Sequence, residues 1–333
     1  MKSLLKQLTE TFGPSGYEEN VRKLVRAEVK PLADEIKVDA LGSLIARKRP
    51  SKFTKDTKKI MIAAHMDEIG LMVSHIDENG FARFSSIGGV FGRYLLGGRV
   101  RFLNGVTGVI GFDRFDKMNE IPPLDKIYID VGATSRKDCP VKVGDVAAFD
   151  RSFVEMGDRL VAKSMDDRVG VLVAIETLRS LKSTPHDVYV VFTTQEEVGT
   201  RGAGTSAFGI DPDLGIAVDV TAAADTPHAL KMEMKLGKGP CVKIQDGGML
   251  ADPRVVQWMI RTAEKSKIPY QREVLLFGST DARAMQLARA GVPAGCLSIP
   301  VRYVHSPSEM VDFADVQNSV KLLTALLRAK IDL

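Results

Sequence analysis

The sequence predicts an α/β protein with a mostly parallel central sheet flanked by helices and a small inserted β barrel or sandwich. Two observations carry this expectation. From Lys58 onward, apolar runs of strand length alternate with amphipathic helical segments, the rhythm of a sheet built through helical crossovers. Between residues 68 and 162 that rhythm stops, and short β-type runs are punctuated by glycine, as in IGGV and LLGGRV. Many short strands with turn signals indicate a barrel or sandwich.

Taken in order, Leu4, Leu5 and Leu8 recur at helical spacing until the turn from Gly13 to Gly16, and Val21, Leu24, Val25 and Val29 mark a second helix. A strand follows from Lys59 to Ala64. The insert begins after it, with runs at Gly70 to Ile76, Arg99 to Phe102, Gly108 to Phe112, Lys126 to Val131 and Asp145 to Phe149. The α/β pattern resumes with a helix from Asp167 to Leu181 and strands from Val188 to Thr194 and Leu214 to Val220. It continues with a helix from Pro253 to Lys265, a strand near Val274 to Phe277, a helix from Asp281 to Ala290, a strand from Ala294 to Ile299 and a last helix after Asp312. The expected division is therefore 1–67 with 163–333 as one α/β domain, and 68–162 as the insert.

Composition narrows the function classes. The 333 residues are 44% apolar, ample for a packed core. The basic excess, 46 Lys and Arg against 42 Asp and Glu, gathers between Arg47 and Lys59. That run lacks interleaved aromatics and reads as a solvated loop, so no nucleic-acid partner is expected. Cys139, Cys241 and Cys296 lie too far apart in sequence for a disulfide framework or thiolate metal knot. No stretch approaches the roughly 20 apolar residues of a membrane span, so a cytoplasmic protein without a membrane partner is the expectation.

The candidate chemistry lies where strands end. In an open parallel sheet, ligands bind beyond the carboxyl ends of the strands. His65 follows the 59–64 strand, Glu196 and Glu197 follow the 188–194 strand, Asp219 closes the 215–220 strand and His305 comes soon after the 294–299 strand. Asp166 and Asp167 open a helix. Each has an ordinary alternative: Asp67 could simply hydrogen-bond His65, the Asp166 and Asp167 pair could cap its helix, and Glu196 and Glu197 could be solvated loop charges. Asp219 is harder to dismiss, because an Asp among Ile216, Ala217, Val218 and Val220 is buried at a cost of several kcal/mol unless paired or metal-bound. His75, His186 and His228 lack a carboxylate at useful spacing and read as structural or solvated.

The segments AAHMDEIG, SMDDRVG, TTQEEVGTRGA, AVDVT, STDA and VRYVHSPSEM, in this order across nearly the whole chain, resemble the tetrahedral and glutamyl aminopeptidases, a family of dinuclear metallopeptidases. The resemblance implies a dinuclear zinc peptidase-like fold and two divalent metal ions per subunit, Zn, Co or Mn. It implies His65 and Asp219 on the first ion, Glu197 and His305 on the second, and Asp166 bridging them through a peptide bond to Asp167 that is cis. Asp67 would fix the tautomer of His65, and Glu196 would remain free as general base for a shared hydroxide nucleophile. Short peptides are the implied substrates. The insert is implied to mediate dimers that build a homododecamer.

Two departures concern the substrate pocket. The chain reads LLFGSTDA where the family often has a glycine run, and Arg283 stands where a small residue is common. Competing readings are a glycoside hydrolase using a carboxylate pair, a related deacylase or carboxypeptidase, and a noncatalytic scaffold. A sugar hydrolase leaves His65 and His305 without a role.

Overall fold

The computed structural model describes residues 1–114 and 120–333. Helices α1 (Lys2–Glu10) and α2 (Glu19–Val29) open the chain, followed by strands β1 (Glu35–Val38), β2 (Leu44–Lys48) and β3 (Lys59–His65). Six strands then close a barrel: β4 (Gly70–Ile76), β5 (Ala82–Ile87), β6 (Arg99–Phe102), β7 (Thr107–Phe112), β8 (Ile127–Asp130) and β9 (Val146–Phe149). The chain returns through β10 (Val154–Met156), β11 (Arg159–Ala162), α3 (Met165–Ser180), β12 (Asp187–Thr193), α4 (Arg201–Ile210) and β13 (Leu214–Ala222). It ends with β14 (Cys241–Gln245), α5 (Pro253–Lys265), β15 (Gln271–Val274), α6 (Asp281–Gln286), β16 (Ala294–Arg302), β17 (Glu309–Asp312) and α7 (Phe313–Arg328).

The large sheet has eleven strands, its main path running β1-β2-β12-β3-β13-β16-β17-β11-β10. Its centre, β12-β3-β13-β16, is parallel as expected, while strands on both flanks pair antiparallel. The centre is buried on both faces, so β3 reads KIMIAAH with no polar alternation. Ile60, Met61 and Ile62 are fully buried, each contributing roughly 1.5–3 kcal/mol. The β1–β2 hairpin depends on Asp39, whose Oδ1 accepts the N–H groups of Leu41, Gly42 and Ser43.

Differences from the sequence reading have local causes. The barrel strands run only from Gly70 to Phe149, and β10 and β11, placed by the sequence in the 68–162 insert, pair within the large sheet. Barrel and sheet have separate apolar cores. Helix α4, RGAGTSAFGI, escapes the periodicity because its glycines weaken helical propensity. One of them serves packing instead: a Cβ on Gly202 would lie 2.6 Å from the Thr194 carbonyl oxygen. The strand near Val274 to Phe277 lies earlier, at Gln271–Val274, and α6 closes at Gln286 rather than Ala290. Among the described residues no helix is long and apolar enough to cross a membrane.

Helix α5 begins where predicted, with Pro253 in its first turn and the Asp252 side chain accepting the Arg254 N–H. Asp252→Ala should therefore lower stability by about 1 kcal/mol, measured by chemical denaturation with an unchanged m-value.

Candidate metal centre

Parallel strands deliver the site to one rim. His65 is the last residue of β3, pinned beside β12 because the Met66 N–H donates to the Thr193 carbonyl. Glu196 and Glu197 lie in the turn after β12, entered through Gln195 at φ 57°. Asp219 sits within β13 opposite Ser298 of β16, three residues before the end of its strand because β13 runs to Ala222. His305 follows β16 at φ 60°.

The Asp166 and Asp167 pair divides its work. Ser164 is left-handed, both aspartates have non-helical backbone angles inside the span of α3, and the peptide between them is cis. Asp167 does cap the helix, accepting the Gly170 N–H at 3.0 Å, and it also accepts the His65 N–H at 3.2 Å. Only glycine permits this, since a Cβ on Gly170 would lie 2.2 Å from Asp167 Oδ1. Asp166 faces the other way. Its Oδ1 lies 2.9 Å from His65 Nε2 and its Oδ2 lies 3.4 Å from His305 Nε2, so one carboxylate spans both imidazoles.

The remaining side chains gather around this pair. Glu197 Oε2 is 3.2 Å from His305 Nε2, and Glu196 Oε2 and Asp219 Oδ1 each lie 3.9 Å from His65 Nε2. Potential ligand atoms of His65, Asp166 and Glu197 fall within 4.8 Å of one another, as do those of His65, Asp167 and Asp219. Both Asp167 oxygens already accept backbone N–H groups, which favours Asp166 as the shared carboxylate.

Both histidines turn Nε2 toward the carboxylates because Nδ1 is engaged elsewhere. The Nδ1–H of His65 donates to the Asp67 carbonyl at 3.1 Å, with Asp67 Oδ1 at 3.4 Å, and the Nδ1–H of His305 donates to the Gly89 carbonyl at 2.9 Å. Gly89 belongs to the IGGV segment, and a Cβ there would lie 2.5 Å from His305 Nδ1. Asp67 also accepts the N–H groups of Glu196 and Glu197 and the Ser15 hydroxyl. Beside it, buried Glu68 accepts from the Gly13 N–H, Lys163 and Ser164.

Electrostatics fit a cation. Burial drives the Glu196, Glu197 and Asp219 carboxyls above their usual range, against the pull of a nearby histidine and with further upward push from neighbouring carboxylates. Asp166 is the exception, because hydrogen bonds from His305 and His65 outweigh its burial and hold it below the carboxylate range. Burial lowers His305, yet Glu197 and Asp166 push it up to about 12. Two imidazole nitrogens and several convergent carboxylate oxygens form a donor set suited to borderline divalent ions. The fit is made by these residues' chemistry and convergence.

The cluster lines a cavity of about 480 Å³ whose other walls include Phe91, Val220, Ala222, Leu275, Phe277 and Arg283. All the residues singled out from the sequence, His65, Asp67, Asp166, Glu196, Glu197, Asp219 and His305, come together here. His186 is buried elsewhere against the Ala329 carbonyl, while His75 and His228 are exposed. The sequence reading missed Ser15, Gly89 and Glu309. The Glu309 carboxylate accepts the N–H groups of Asp166 and His305; the only sequence signals were GPSG, the paired glycines of IGGV and an acidic residue in HSPSEM.

Known proteins resemble this chain along nearly its whole length. Residues 42–322 match the family model for M42 glutamyl aminopeptidases. The chain is 46% identical over 326 residues to a protein of Acetivibrio thermocellus, spanning 97% of each. Among solved structures, it superposes on an aminopeptidase from the archaeon Desulfurococcus kamchatkensis with a TM-score of 0.94, at 44% identity over 98% of this chain and 94% of that one. A TET1 peptidase of Pyrococcus horikoshii, which can assemble into a tetrahedron or a large octahedral shell, gives a TM-score of 0.89 at 33% identity, covering 98% of this chain and 99% of that chain. Sequence, fold and relatives thus agree over nearly the whole chain, and this protein is a peptide-bond hydrolase belonging to the M42 glutamyl aminopeptidase family.

Proposed function

We propose that the chain is a dinuclear metal-dependent aminopeptidase that trims N-terminal residues from short peptides. The observation that carries this reading is the Asp166 carboxylate, whose two oxygens face His65 Nε2 and His305 Nε2. His65 and Asp219 would hold one ion, Glu197 and His305 the other, and Asp166 both. When bound, such a pair polarises the scissile carbonyl and lowers the pKa of water.

The chain's own groups do the rest. Glu196, on the cavity wall and outside the ligand set, takes the proton of the attacking water and returns it to the leaving amine. Asp67 orients His65 and, through two backbone N–H groups, the turn that carries Glu196 and Glu197. A free, uncharged α-amino nitrogen is a donor that a divalent ion held there would accept, and an acetylated nitrogen is not. A leucyl anilide should therefore be hydrolysed and its N-acetyl counterpart spared; preference for the acetylated substrate would favour a deacylase.

The 68–162 segment is proposed as the dimerisation unit of a cytoplasmic homododecamer. Exposed Val109, Phe112, Ile121 and Val143 on and beside the barrel support an interface there, as does the assembly of the TET1 relative. Light scattering that reports a monomer at micromolar concentration would reject this assembly.

A further inference from the structure

We infer that Glu309, which is outside the proposed ligand set, is a positioning residue that locks Asp166 and His305 to each other. Its two carboxylate oxygens serve different segments of the chain. Oε2 accepts the Asp166 N–H at 2.9 Å, and Oε1 accepts the His305 N–H at 2.7 Å. The residue is 2% exposed, so water does not compete for these bonds.

Sheet order explains why this residue can do it. Strand β17, which Glu309 begins, lies between β16 and β11. Glu309 pairs in register with Ala162 at the end of β11, and Met310 pairs with Arg302 at the end of β16. Strand β11 leads in four residues to Asp166, and β16 leads in three to His305. Both departing segments leave regular structure through left-handed residues, Ser164 at φ 58° and His305 at φ 60°, where no ladder bond can fix them. A carboxylate held in the strand between them supplies the missing constraint. Hydrogen bonds from two N–H groups, one on each oxygen, also fix its plane.

Asp67 plays a related part on the opposite side: its backbone carbonyl accepts the His65 Nδ1–H, while its carboxylate accepts the N–H groups of Glu196 and Glu197. Each histidine of the centre is thereby tied to a carboxylate neighbour by a second, buried acidic residue. The inference rests on the metal-centre reading above, and its test separates the two.

The test titrates metal-depleted protein with Co²⁺ by calorimetry, follows folding by circular dichroism, and measures kcat and KM on an aminoacyl anilide at saturating Co²⁺. Wild type should take up two ions. Glu309→Gln keeps the shape but turns an amide N–H₂ toward one of the two donors. It should remain folded with KM within about twofold, while affinity for one ion weakens about 10- to 100-fold, the effect expected of a partner that orients ligands, and kcat falls. Glu309→Asp retains a carboxyl group with two acceptor oxygens and should recover part of the lost affinity. Wild-type ion affinities and kcat in Glu309→Gln would overturn the inference. Loss of the fold in both variants would also overturn it, assigning Glu309 a purely structural role. Failure of the wild type to bind Co²⁺ would sink the metal-centre reading itself, and the role of Glu309 with it.

Discussion

Glu196→Gln should leave the divalent-ion content unchanged while kcat on an aminoacyl anilide falls by about 10²-fold or more, the contribution of a positioned general base. The separation follows from where the side chain sits. Glu196 lines the cavity and lies outside the proposed ligand set, in which Asp219, at the same 3.9 Å from His65 Nε2, serves the first ion. Its backbone N–H is held by Asp67, and a Gln side chain does not disturb that bond. Burial, opposed by His65 and reinforced by Asp219, raises the Glu196 carboxyl well above its usual value. The amide has the same shape and cannot accept a proton. Metal analysis alongside single-turnover kinetics checks the expectation, and near-full activity at wild-type metal content would remove Glu196 from the role of base.

The central fold and the site were legible in the sequence for one reason: a buried parallel strand leaves no freedom in where its end lies. Runs such as KIMIAAH and GIAVDV are apolar on both faces, and a polar residue within or just past such a run must have a partner. His65, Asp219 and the pair Glu196 and Glu197 were found that way. The flanks were not legible, because β2, β10, β11 and β17 are short and their pairing is decided by neighbours far away in the chain. Strand β11, for instance, pairs with β17 about 150 residues later. Supporting residues were hidden for a related reason. Ser15 bonds a partner 52 residues away, and Glu309, besides its bond to nearby His305, bonds one 143 residues away, and no local pattern announces such distant bonds. Gly89 looked like turn chemistry, yet what requires glycine there is the ring of His305.

Asp166→Asn should abolish both activity and stable metal uptake, with a loss of kcat/KM of about 10³ or more, because several kcal/mol of electrostatic stabilisation at the reacting centre go with it. Among the described residues Asp166 is the one carboxylate that both histidines approach, and hydrogen bonds from His305 and His65 outweigh its burial and hold it below the usual carboxylate range. Its neighbours are different: Glu196 and Asp219 approach His65 and Glu197 approaches His305, so none of them spans the two imidazoles. An asparagine keeps the shape and, if its oxygen faces His65, presents an amide N–H₂ to His305, which leaves one imidazole facing a donor. The fold should survive, since the Asp166 N–H bond to Glu309 is a backbone contact and Asp167 continues to cap α3. Comparing the two variants tests the whole arrangement. Glu196→Gln should lose turnover and keep its ions, Asp166→Asn should lose both, and a folded Asp166→Asn protein that bound two ions normally would show that the shared carboxylate lies elsewhere, with Asp167 the first candidate because its oxygens also lie beside His65 and Asp219.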